Sequence, residues 1–335
     1  MTMADIKALK TAGMLPMRLK NHFSVRLRVL GGDLSPDQLR TAADAADRFG
    51  RGKVHVTSRQ GMEIPFVKFE DLEAMREFLA EGGLSLGIGG PTVRAVTACQ
   101  GNKVCPWGCV DSQGFAREVS KKYQTKKLKC KFKIGVTGCA NNCLKAEQND
   151  IGVKGGLFSE LDFSKCVGCG LCVGTCRAGA LTLVKGERLD RDASGCVGCG
   201  KCVRVCPSGA WKGVEGYRVY FGGSFGNRIA VAREAFPMLR DKKDALGAMG
   251  AALDYFAENG LPGERFCNLL DRLGWDDFKN NLRETLGPGF FPESPEKSPG
   301  ERAAKSRAQN GRKGRGKSSD KTGAKSRPAS RVKKA

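Results

Sequence analysis

Fifteen cysteines in 335 residues bound the chemistry open to this chain. Three stand in the run TACQGNKVCPWGCVDSQ, residues 97–113: Cys99, Cys105 and Cys109. GVTGCANNC adds Cys139 and Cys143, and eight more crowd into residues 166–206. Thiols at this density either cross-link or bind metal. Disulfides belong to oxidising compartments, whereas C-x2-C spacings in an intracellular chain favour thiolate ligation. The N-terminus, MTMADIKALKTAGMLPM, has no apolar signal core and no small-residue cleavage site, so the protein is expected in the cytoplasm. No apolar run reaches the ~18 residues of a membrane span.

KCVGCGLCVGTCRAGA and GCVGCGKCVRVCPSGA are two copies of one motif, offset by 30 residues. Each reads C-x2-C-x2-C-x3-C, the spacing of bacterial two-cluster ferredoxins, in which the fourth cysteine of each run ligates the other cluster. That rule assigns Cys166, Cys169, Cys172 and Cys206 to one [4Fe–4S] cluster, and Cys196, Cys199, Cys202 and Cys176 to a second. The glycines between them let the backbone turn tightly and aim N–H groups at sulfide. Structural zinc is the competing reading of such a block. Arg177 stands where proline often follows the fourth cysteine; Pro207 keeps the pattern.

The first group is different. C-x5-C at Cys99 and Cys105, about thirty residues, then C-x3-C at Cys139 and Cys143 is neither zinc-finger nor ferredoxin spacing. It resembles the pattern of the sirohaem sulfite and nitrite reductases. The resemblance implies that these four cysteines hold a third [4Fe–4S] cluster and that Cys143 also bridges to the iron of sirohaem. Three further stretches carry the likeness. VHVTSRQGMEIP resembles the family's T-x-R-Q strand and turn, offering Arg59. VRAVTAC places Arg94 ahead of the first cluster cysteine, and KCKFKIGVTGC resembles a K-F-K strand with Lys131 and Lys133. Alternation puts those two lysines on one face. By resemblance, Arg59, Arg94, Lys131 and Lys133 form the catalytic anion site, and Arg59 and Arg94 also meet the sirohaem carboxylates. Cations of this kind would neutralise sulfite oxyanions and deliver protons as S–O bonds break. Each alone could be a solvated surface charge; their joint placement at family positions favours a site.

The departures are Cys130, where the family often has Arg, the extra Cys109 and the isolated Cys267. All three read as small buried hydrophobes. His22 and His55 fall in strand patterns and read as packed or solvent-facing. The resemblance spans roughly residues 15–290, closest to small anaerobic sulfite reductase catalytic subunits of the dissimilatory type with an inserted ferredoxin.

The net charge is +22, unevenly spread. Residues 292–335 hold 14 Lys/Arg and 4 Asp/Glu, a difference of +10, and almost no large apolar residue. Such a tail cannot bury enough surface to order itself. Contact of the tail with nucleic acid, an acidic partner or a membrane surface is the weaker alternative to a solvated tail. The remaining +12 in the body (22 minus 10) suits an anionic substrate or cofactor.

The elements that must position these groups follow from periodicity. Residues 22–30 alternate as a strand, with Phe23, Val25, Leu27 and Val29 on one face. Ser35-Pro36 opens a helix with Leu39, Ala42, Ala43, Ala46 and Phe49 at helical spacing. Strands are expected at 53–57 and 62–67, then a helix through Leu72, Met75 and Leu79. A helix is expected from Asp111 to about Tyr123, a strand over 129–136, and helices over 244–258 and 264–285. The expected fold class is α+β: a ferredoxin-like half-domain (1–90), a discontinuous sirohaem/[4Fe–4S] α/β domain (91–160 and 211–290), an inserted 2[4Fe–4S] ferredoxin domain (161–210) and a disordered basic tail (291–335).

The expected function is sirohaem-dependent six-electron reduction of sulfite to sulfide, with three [4Fe–4S] clusters and an electron-donor protein or subunit. The alternatives are a sirohaem nitrite reductase and an iron–sulfur electron-transfer subunit without its own turnover. Longer family members carry two tandem half-units, the cysteines of one facing the basic residues of the other. A single half-unit carrying both sets implies a homodimer or a pseudo-symmetric heteromer.

Overall fold

The computed structural model describes residues 2–124, 126–184 and 188–291. The basic tail, 292–335, lies outside the described residues. Among those described, no helix is long and apolar enough to cross a membrane.

The N-terminal part opens with α1 (Met3–Thr11) and continues through β1 (Met14–Pro16), β2 (His22–Leu27), α2 (Pro36–Phe49), β3 (His55–Val56), β4 (Met62–Lys68) and α3 (Leu72–Glu81). Its sheet runs β1-β2-β4-β3, all antiparallel. Phe23, Val25 and Leu27 point into the core, as alternation requires, and pack with Ile64, Val67, Met75 and Leu79. Ser35 caps α2 in a capping box with Gln38, and Pro36 occupies the first turn. The buried stripe of α2 is Ala42, Ala45, Ala46 and Phe49; Leu39 and Ala43, expected inside, are exposed. The strand expected over 53–57 shortens to the exposed edge pair His55–Val56. His55 is exposed, and half-buried His22 turns its Nδ1 to the Lys20 carbonyl at 2.8 Å.

The second part contains β5 (Thr97–Ala98), α4 (Ser112–Tyr123), β6 (Ile134–Thr137), β7 (Ile151–Leu161), β10 (Trp211–Phe221) and β13 (Arg233–Glu234). Between the last two lie short β11 (Ser224–Phe225) and β12 (Ile229–Ala230). The sheet order is β13-β10-β7-β6-β5. β5, β6 and β7 are parallel; β7 and β10 are antiparallel over their whole eleven-residue length. Helices α7 (Lys242–Asn259), α8 (Phe266–Leu273) and α9 (Trp275–Leu286) cover the core. The single helix expected over 264–285 is two helices, because Gly274 takes φ +97°, a conformation that ends one helix and redirects the chain into the next. Phe132, Phe256, Phe266, Phe278 and Phe221 interlock there, with ring centroids 5.3–5.6 Å apart.

Residues 162–210 leave at the tip of the β7–β10 ribbon, where Leu161 pairs with Trp211. They hold α5 (Leu171–Thr175), β8 (Leu181–Val184), β9 (Arg188–Arg191) and α6 (Lys201–Val205), with β8 and β9 antiparallel. The duplication is structural as well as sequential. Gly168 and Gly198 both take φ +66°, and Gly170 and Gly200 take +70° and +67° just before α5 and α6. Only glycine adopts such angles without strain, so the motif's glycines are backbone requirements.

Candidate active site

The basic residues are positioned by one turn and one extended run. Residues 57–61 close on themselves: Thr57 N–H donates to Gly61 O at 2.8 Å, and Gly61 N–H to Thr57 Oγ1 at 3.0 Å. This turn sends two side chains into the second part of the molecule. Gln60 pairs with both backbone groups of Ala98, each bond 2.9 Å, as a strand would. Arg59 donates to Asn149 Oδ1 at 2.8 Å, Ala95 O at 3.1 Å and Ile134 O at 3.4 Å. The Ala95–Thr97 and Lys133–Ile134 segments therefore receive Arg59 at the start of β5 and β6.

Lys131 and Lys133 flank Phe132, which is fully buried against Phe256 and Phe266. Burying the phenyl ring turns both lysines to the opposite face. The strand expected over 129–136 is narrower: Ile134–Thr137 forms the ladder, and Phe132 contributes an isolated parallel bridge to Val93. Arg94 donates to Ile88 O at 2.7 Å. Arg59, Arg94, Lys131 and Lys133 all line one cleft between the two parts, together with Arg26 and Glu63. Arg26 is paired with Glu63 at 2.7 Å, while no ion pair engages the other four cations among the described residues. Burial, only partly offset by Asp150, lowers Arg59 to about 10. Burial also lowers Arg94 and Lys133, and for Lys133 the neighbouring Arg59 and Arg265 add to the effect. Uncompensated cations in a partly desolvated cleft are a receptor for an anion.

Sequence reasoning missed the support beneath this cleft. Asp150 is fully buried and both its oxygens accept from a single nitrogen, Arg265 Nη2, Oδ2 at 2.7 Å and Oδ1 at 2.8 Å. It also accepts the Lys133 backbone N–H at 2.8 Å. Asp150 and Arg265 lie 115 residues apart and in no motif, so no local signal links them.

The cysteines gather at the other end of the same strands. Cys99 follows β5 and Cys139 follows β6. Gly138 N–H donates to Cys99 Sγ at 2.9 Å. From Ile134, which Arg59 reaches, to Gly138 is four residues of strand, about 13 Å. Cys139 is pushed up by burial, and Cys99, Cys105 and Cys143 push it further, so the four thiols share one electrostatic site. Four thiols grouped in this way match the donor set that the spacing leads one to expect for an iron–sulfur cluster. Cys143 is the exposed member.

In the duplicated block, Cys176, Cys196, Cys199 and Cys202 line one cavity with Trp211. Trp211 Nε1 is buried with no hydrogen-bond partner, an orphaned donor on a residue that lines the same cavity. The fit is to the cluster set expected from spacing. Cys172 and Cys206 pack on the same small core of Leu181, Leu189 and Trp211, whereas Cys169 is exposed. All fifteen thiols are free. Among the described residues, no three His, Cys, Asp or Glu converge as tightly as a single metal ion requires. Of the remaining cysteines, Cys109 and Cys267 are buried, as expected of small hydrophobes; Cys130 is half-buried at the core edge.

A ferredoxin-like half-domain against a sheet domain that gathers cysteines and unpaired cations defines an iron–sulfur oxidoreductase class. The family descriptions agree. Residues 89–289 match the "Nitrite and sulphite reductase 4Fe-4S domain", and residues 16–82 match the "Nitrite/Sulfite reductase ferredoxin-like half domain". The chain belongs to the nitrite and sulphite reductase family. It is 32% identical over 276 residues to a coenzyme F420-dependent sulfite reductase of Methanocaldococcus jannaschii, covering 82% of this chain and 44% of that protein. It is 32% identical over 196 residues to an anaerobic sulfite reductase subunit of Salmonella typhimurium, covering 52% of this chain and 57% of that relative. The chain thus spans about half the length of these relatives. Its fold matches dissimilatory sulfite reductase I with a TM-score of 0.64 at 19% identity, over 83% of this chain and 73% of that one.

Proposed function

We propose that this chain reduces sulfite to sulfide, binding sirohaem and three [4Fe–4S] clusters, as half of a twofold or pseudo-twofold pair. The observation that carries the reading is the convergence of Arg59, Arg94, Lys131 and Lys133, four residues from three separate stretches, on one cleft. Sirohaem, when bound, supplies the iron at which sulfur takes up six electrons. The chain's own residues do the rest. Arg59 is fixed by three acceptors and presents a rigid cation to the anion. Lys133 holds its proton less tightly than a free lysine, which suits it to give that proton to a departing oxygen. Lys131 is exposed and is placed to renew protons from water.

The pairing follows from the separation of about 13 Å along the strands. Cysteines and cations occupy opposite strand ends, so each cleft is completed by the cysteine end of a second half-unit. In this reading residues 161–210 are an inserted ferredoxin module with two clusters, served by an electron-donor protein or subunit. Residues 1–90 form the half-domain, 91–160 and 211–290 the sirohaem domain.

The test is anaerobic purification followed by iron and sirohaem quantification, a visible spectrum, and dye-driven turnover with sulfite and with nitrite. Sirohaem absorption with preferential sulfite turnover is the expected result. A haem-free protein with full iron would make the chain an electron-transfer subunit, and preferential nitrite turnover would reassign the substrate.

A further inference from the structure

The two copies of the cysteine motif are equal in sequence spacing and unequal in surroundings. At the first copy a Cβ added at Gly168 or Gly174 would meet nothing within 4 Å, Gly170 faces only Leu183 of the inserted segment's own hairpin, and Cys169 is exposed. At the second, Gly198 packs against Met238 and the Leu157 carbonyl, and Gly200 against the Leu157 side chain. Leu157 N–H donates to Gly198 O at 2.7 Å, which ties the second copy to β7. The residue thirty places before Arg204 is Gly174, so one copy carries a guanidinium where the other carries nothing.

Arg204 spans the seam to the first cysteine group. Its Nη1 donates to Cys199 O at 3.0 Å. Its Nη2 donates to Gly108 O at 3.1 Å and Trp107 O at 3.3 Å, and lies 3.7 Å from Cys109 Sγ. Cys109 Sγ is itself 4.0 Å from Cys199 O. On its far side Cys109 N–H donates to Gly138 O at 2.7 Å, and Gly138 N–H donates to Cys99 Sγ. An unbroken run of close contacts therefore links Cys199 to Cys99 through one arginine, one buried cysteine and one peptide.

We propose that Arg204 is the positioning residue that holds closed the seam between the Cys176/Cys196/Cys199/Cys202 set, the inner of the two ferredoxin sites, and the Cys99 group. This rests on the cluster assignment made for the proposed function. With clusters bound, a one-electron transfer across this seam would oxidise the inner site and reduce the Cys99 group, with no bond formed or broken. A low-potential one-electron donor refills the outer site, whose Cys169 faces solvent. Cys109 is retained as packing between the two sites, which explains a buried thiol that the ligand count does not use.

The experiment uses anaerobically purified holoprotein, reduced with dithionite, as wild type, Arg204→Gln and Arg204→Lys. Glutamine keeps helix propensity in α6 and removes charge and fork; lysine keeps the charge alone. Iron content, electron paramagnetic resonance of the reduced clusters and stopped-flow reduction of the Cys99 group are read together. Expected are iron near the wild-type level of about twelve atoms per chain, weaker spin–spin interaction between the two sites, and transfer slowed roughly tenfold or more in Arg204→Gln. Arg204→Lys should recover part of both. Full iron with unchanged interaction and rate in Arg204→Gln would overturn the inference alone. Loss of iron in both variants would make Arg204 a folding residue and also overturn it. Wild-type iron near four atoms per chain would instead remove the ferredoxin assignment on which it stands.

Discussion

At the start of β5 and β6 four cations stand without counter-ions; at the finish of the same two strands four thiols share a site. The cation end is built from side chains of a turn and an extended run, held by a buried carboxylate beneath. The thiol end is built from loops whose backbone N–H groups point at sulfur. Both ends flank the same short parallel ladder of β5 and β6. The ladder that fixes them also separates them by about 13 Å. One copy of this fold thus carries both sets of groups at opposite strand ends, and the proposed twofold pair is the reading in which the two sets meet.

The largest effect is expected at the thiol end. Cys143→Ser should abolish sulfite reduction while sirohaem can still bind. Mixing it with Lys131→Ala under subunit exchange should restore part of the activity, because one of the two composite sites becomes intact. Near-normal turnover of the single variant with full sirohaem, or no recovery after verified exchange, would break the comparison.

Beneath the cation end, Asp150→Ala leaves Arg265 half-buried and unpaired and frees the Lys133 N–H. Removing one partner of a buried pair costs about 3–5 kcal/mol. The denaturation midpoint should fall accordingly, and a drop under about 1 kcal/mol would show that the pair is only a surface contact.

Removing a single cleft cation should matter less. Arg59→Ala, Arg94→Ala, Lys131→Ala and Lys133→Ala should each weaken kcat/KM for sulfite about tenfold or more, since a charge-assisted contact is worth ~1.5–3 kcal/mol. Iron content should be unchanged. Four variants with wild-type kinetics would remove the cleft from the mechanism.

The pH dependence sharpens the same end. Burial lowers Lys133, so the folded protein releases this proton at lower pH than the unfolded chain does. Between those two values the unfolded chain binds more protons, and this residue's contribution to stability rises with pH. Anion binding runs the other way, because the cleft loses a positive charge over that window. Lys133→Arg should move the alkaline fall of kcat/KM to higher pH, and an unmoved profile would assign the fall to another group.

The smallest effect is expected from the tail. Deleting residues 297–335 should leave iron, sirohaem and dye-driven turnover intact, since the segment carries no expected ligand and almost no large apolar residue. Loss of cofactor would make it part of the body.

Much of this was legible in local pattern. Alternation placed Phe23, Val25 and Leu27 inward, capping residues opened α2, and Phe132 between two lysines marked a buried ring with a charged opposite face, although the strand itself begins only at Ile134. Cysteine spacing grouped the thiols that lie together in the structure, Cys176, Cys196, Cys199 and Cys202 around one cavity. The exceptions are physical too. Leu39 fits the helical period yet stays exposed, because period says which face a residue occupies and not what covers it. The 264–285 pattern ran through Gly274, whose left-handed φ is invisible to hydrophobic spacing.

What the sequence alone determined is the inventory: which residues bear charge or thiol, and which neighbours share a face, since both depend on spacings of two to four residues. What only the tertiary structure decided is distance and environment. It set Arg59 against β5 and β6, placed Asp150 and Arg265 under Lys133, put cations and thiols at opposite strand ends, and turned one of two equal cysteine motifs toward the body. Those outcomes depend on packing between segments a hundred residues apart, and no local rule carries that information.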